Sequence, residues 1–68
     1  MLSTNLKQMD LLIFQLDVGY GVDSEKCLIS VNAVYSDDRD IKRIKRKARE
    51  LGLSMRKKGD YYFITEKK

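Results

Sequence analysis

The chain has 68 residues and a formal net charge of +4, enough for one small domain with a small core. It holds one cysteine and no histidine, which excludes a Ser–His or Cys–His nucleophile pair, a zinc finger or ribbon, and an internal disulfide. The longest apolar run, Leu11 to Phe14, is too short to cross a membrane, and no signal-peptide pattern opens the chain, so a reducing, cytoplasmic setting is expected.

Taken in order, the chain starts with three capping candidates, Ser3, Thr4 and Asn5. Leu6, Met9, Ile13 and Leu16 then recur at helical spacing, which predicts a helix over 4–18. The alternation of Leu12, Phe14, Leu16 and Val18 supports a strand over part of the same stretch. Gly19-Tyr20-Gly21 reads as a turn or helix stop, because a lone G-x-G lacks the rest of a dinucleotide fingerprint. Asp23 or Ser24 can cap a short helix that packs Leu28 and Val31 inward with Cys27 or Val34, and Asn32 could end it. Here too a strand competes, since Cys27, Ile29, Val31, Ala33 and Tyr35 alternate and the segment is rich in β-branched residues. Cys27 itself is expected to be buried as a small apolar residue.

The segment from Asp37 to Leu51 is the most informative in the chain. Ile41, Ile44, Ala48 and Leu51 form one narrow helical stripe, and Arg39, Lys42, Arg43 and Arg46 gather on the opposite side. Lys45 and Lys47 lie at the borders, where their stems can follow the core edge. Ser36 or Asp37 can cap the start, acids fill the first turn, and Gly52 stands where a left-handed C′ residue is expected. Capping and dipole effects account for Asp37, Asp38 and Asp40 better than a metal cluster does, because on a helix start they point in different directions. No metal or other cofactor is expected, and the missing catalytic inventory argues against an enzyme. Beyond Gly52 the period changes to two, and Gly59-Asp60 joins two short strands into a hairpin over 53–66.

Charge is unevenly distributed. Residues 1–38 hold two basic and six acidic side chains, and residues 39–68 hold twelve and four. A chain polarised in this way is expected to meet a polyanion, or an acidic protein surface, with its basic half.

The order Ser36, Asp38, Arg39, Ile41, Lys42, Arg43, Ala48, Arg49, Gly52, Gly59, Tyr61, Tyr62, Ile64 resembles the recognition helix and wing of small winged helix-turn-helix domains of bacteriophages and mobile elements. The resemblance implies a mainly α fold with a C-terminal β-hairpin: a support helix over 4–18, a helix-turn-helix over 23–51 and a wing over 53–66. It also implies a DNA-binding module in the regulation, excision or replication of such an element. Arg39, Lys42, Arg43 and Arg46 would face the major groove, and Arg56, Lys57 and Lys58 would hold the flanking backbone. So small an interface would work as a homodimer or within a larger assembly. The alternative fold is α+β, a β-hairpin–helix–β-hairpin. The alternative function is a small inhibitor or adaptor that covers an acidic or nucleic-acid-binding surface of a host protein. RNA binding would require aromatic residues exposed on a sheet, which only the hairpin–helix–hairpin order supplies.

Overall fold

The computed structural model describes residues 2–66. Helix α1 (Thr4–Phe14) leads into strands β1 (Tyr20–Asp23) and β2 (Leu28–Asn32). Helix α2 (Asp38–Glu50) follows, then strands β3 (Leu53–Lys58) and β4 (Tyr61–Glu66). The four strands form one antiparallel sheet in the order β1-β2-β4-β3. The expected winged helix-turn-helix is therefore overturned: the fold is α+β, and the segment meant to be the first helix of the pair is a hairpin. The hairpin–helix–hairpin order does not hold whole either, because α1 precedes it.

The reason lies at Asp23. Its carboxylate accepts hydrogen bonds from the Glu25 and Lys26 amides, each at 3.1 Å, the same bonds that an N-cap residue makes. The capping signal is genuine, but it closes a turn. Cys27 then takes a left-handed conformation (φ 51°), which no helix can propagate. Beyond it the β-branched Ile29 and Val31 point into the core from alternate positions, where strand geometry suits them. Cys27 is half-buried rather than buried. Val34 and Tyr35, expected to continue the pattern, are 63% and 77% exposed, because β2 ends at Asn32, whose side chain accepts from the Val34 amide.

The two helices run close to expectation. Ser3 caps α1 by accepting from the Leu6 amide at 3.2 Å, and the helix ends at Phe14, four residues short of the predicted 18. Asp37 caps α2 by accepting from the Arg39 amide at 2.9 Å. Leu6, Met9 and Ile13 of α1 and Ile41, Ile44 and Ala48 of α2 share one core with Ile29, Val31, Leu53 and Ile64 of the sheet. The sheet residues in this core all lie on one face by strand alternation, so both helices cover the same side. Tyr20 donates a hydrogen bond to Asp10 at 3.0 Å and ties β1 to α1. Partial burial, then the bond to Asp10 and its negative charge, raise the pKa of the Tyr20 hydroxyl above the ordinary tyrosine value.

The predicted hairpin over 53–66 is present, but it is no projecting wing. Its second strand, β4, is central and pairs with both β2 and β3. Gly59 has φ 62° at the first of two turn positions, the pattern of a type II′ turn. Gly52 has φ 70° just after α2, and a Cβ built there meets nothing within 4 Å. The cost of a side chain at this position is therefore backbone strain alone. Gly52→Val should lower stability by about 1 kcal/mol or more in a denaturant titration. An unchanged midpoint would mean that the left-handed stop is not needed.

Candidate nucleic-acid interface

The roll of α2 is fixed by Ile41, Ile44 and Ala48, which are buried against the sheet and α1. That roll turns Arg39, Lys42, Arg43 and Arg46 away from the core, and all four are exposed. Arg39 and Arg43, like Lys42 and Arg46, stand four residues apart, so like charges are neighbours along the helix. Each such pair costs a free helix about 0.2–0.5 kcal/mol. Asp38, four residues before Lys42, Asp40, three before Arg43, and Glu50, four after Arg46, offset part of it, but none of them closes to an ion pair with the row. Among the described residues the single ion pair joins Lys47 to Glu50 at 3.8 Å, on the flank of the helix.

The cationic surface continues onto the sheet edge. Tyr62 sits on the helix-bearing face of β4, with the Lys45 ammonium 5.2 Å from its ring centroid and the Lys57 ammonium 5.8 Å from it. A shallow groove of about 290 Å³ runs between α2 and β3, lined by Lys45, Ala48, Arg49, Gly52, Leu53 and Met55. Lys57 thus belongs with α2. Arg56 and Lys58, which the sequence groups with it, alternate onto the other face of the sheet. The seven residues singled out from the sequence are all exposed, but they divide into five on the helix side and two behind it. Lys45 and Arg49 join the first group. Their part depends on the packing of α2 against β3, which the local charge pattern does not encode.

No family model, curated protein or solved structure matches this chain. Among the described residues no three His, Cys, Asp or Glu side chains converge to hold a metal ion, and no helix is long and apolar enough to cross a membrane.

Proposed function

We propose that the protein binds duplex DNA through the outward face of α2. The observation that carries this reading is the row Arg39, Lys42, Arg43 and Arg46, exposed and without an acidic partner among the described residues. A helix of 13 residues is about 20 Å long, and its girth of about 10–12 Å suits the major groove. Arginine offers paired donors to guanine edges, and lysine serves phosphates as a point charge. Lys45 and Arg49, on the side of α2 toward β3, and Lys57 on β3 would follow the backbone beside the groove.

The division of the hairpin lysines supplies a test. Lys57→Ala should lower the slope of log affinity against log salt by about 1 for any duplex, because one phosphate fewer is neutralised. Lys58→Ala, on the far face of the sheet, should leave that slope unchanged. Arg43→Ala should cost about 1–3 kcal/mol on a preferred site and less on random duplex. Equal slopes for the two lysine variants would contradict this docking. The absence of duplex binding, with tight capture of an acidic protein surface by the same residues, would favour the adaptor reading.

A further inference from the structure

Both helices cover one face of the sheet, which leaves the other uncovered among the described residues. Phe63 lies on that face, in a row formed by Gly21, Ser30, Phe63 and Arg56 across the four strands. Gly21 and Ser30 are too small to cover its ring. Tyr61 lies two residues along β4 on the same face, its ring stacked at 30° to that of Phe63 with centroids 6.4 Å apart. Neither ring belongs to the core. Lys58 alternates onto the same side beside Tyr61. A shallow hollow of about 700 Å³ adjoins Phe63 and is lined by Lys26, Cys27, Ser54, Arg56, Thr65 and Glu66. Its single carboxylate, on Glu66, accepts a hydrogen bond from the Ser3 hydroxyl.

We propose that this open face is a second binding site, which holds single-stranded nucleic acid by stacking bases on Tyr61 and Phe63. The face and a single strand are complementary. Two neighbouring aromatic rings offer flat apolar faces, and Lys26, Arg56 and Lys58 around them offer positive charge to a phosphate backbone. An apolar peptide would use the rings and leave the three cations unmatched. Stacking reads the π-face that every base has, so the site takes DNA and RNA strands alike. It shares no residue with the α2 surface, and the two readings stand or fall separately.

The test uses a fluorescein-labelled twelve-nucleotide thymidine strand, the uridine strand of equal length, and a mixed-sequence duplex, each titrated with the whole protein. Tyr61→Ala, at an exposed position, should weaken both single strands by about 5-fold or more, since one base loses its stacking platform. Tyr61→Phe, which keeps the ring, should bind as the parent does. Phe63→Leu keeps apolar volume on the sheet and should weaken the strands in the same way. None of the three should change duplex affinity. The protein has four tyrosines and no tryptophan, so its near-ultraviolet emission comes from tyrosine and should be quenched by the strands in the parent but less in Tyr61→Ala. The proposal is overturned if neither strand binds, if Tyr61→Ala and Phe63→Leu leave strand affinity unchanged while circular dichroism shows them folded, or if strand affinity falls only with Arg43→Ala. It is also overturned if the face captures a peptide with an affinity that Arg56→Ala and Lys58→Ala do not alter.

Discussion

Ile44→Ala should destabilise the protein by about 2–4 kcal/mol, enough to leave much of the population unfolded near room temperature. Ile44 is wholly buried, midway along the apolar edge of α2, where the helix meets the core shared by α1 and the sheet. Three missing carbons leave a void that so small a core has few side chains to fill. Ile44→Val removes one carbon and should cost only about 0.5–1.5 kcal/mol, so the pair gives a graded response. Thermal unfolding followed at a helix wavelength measures both. A melting temperature unmoved by Ile44→Ala would mean that α2 is not held by this edge, and the outward position of its arginines would lose its basis.

The second large effect concerns the outward face itself. Replacing Arg39, Lys42, Arg43 and Arg46 together by alanine removes four positive charges, the repulsion between them and their weaker attraction to Asp38, Asp40 and Glu50. Alanine is the best helix former, so the variant should be as stable as the parent or slightly more so. Duplex affinity should nevertheless fall by about 1000-fold at moderate salt, taking about 1 kcal/mol for each side chain removed from the DNA. Stability kept or raised while binding is lost is the signature of a surface kept for a partner rather than for the fold. Unchanged affinity in a folded variant would show that the row is merely solvated.

The helix Asp38–Glu50 was legible because everything that defines it is local. An apolar stripe at 41, 44 and 48, acids in the first turn, basic residues in the last and a glycine after the end all fall within one segment. The hairpin over 53–66 was legible for the same reason, through Gly59 and the alternation around it. The segment 20–32 was not. Asp23 makes the bonds of a helix cap in a turn, and the deciding event is the left-handed Cys27, an uncommon conformation for that residue. The alternating Ile29 and Val31 did carry the strand signal, but the winged-helix resemblance favoured a helix there. The candidate site follows the same division. Arg39, Lys42, Arg43 and Arg46 share one helix face, so spacing alone groups them. The joining of Lys45 and Lys57 at Tyr62, and the separation of Lys57 from Arg56 and Lys58, arise from strand pairing between distant segments.

The most direct test of the central claim is a titration of the unmodified protein with a mixed-sequence duplex at four or five salt concentrations. If Lys42, Lys45, Arg49 and Lys57 neutralise phosphates, and on mixed sequence some or all of Arg39, Arg43 and Arg46 do so too, log affinity should fall against log salt with a slope between about −3.6 and about −6.3. A slope near zero, or no duplex binding at low salt, would contradict it.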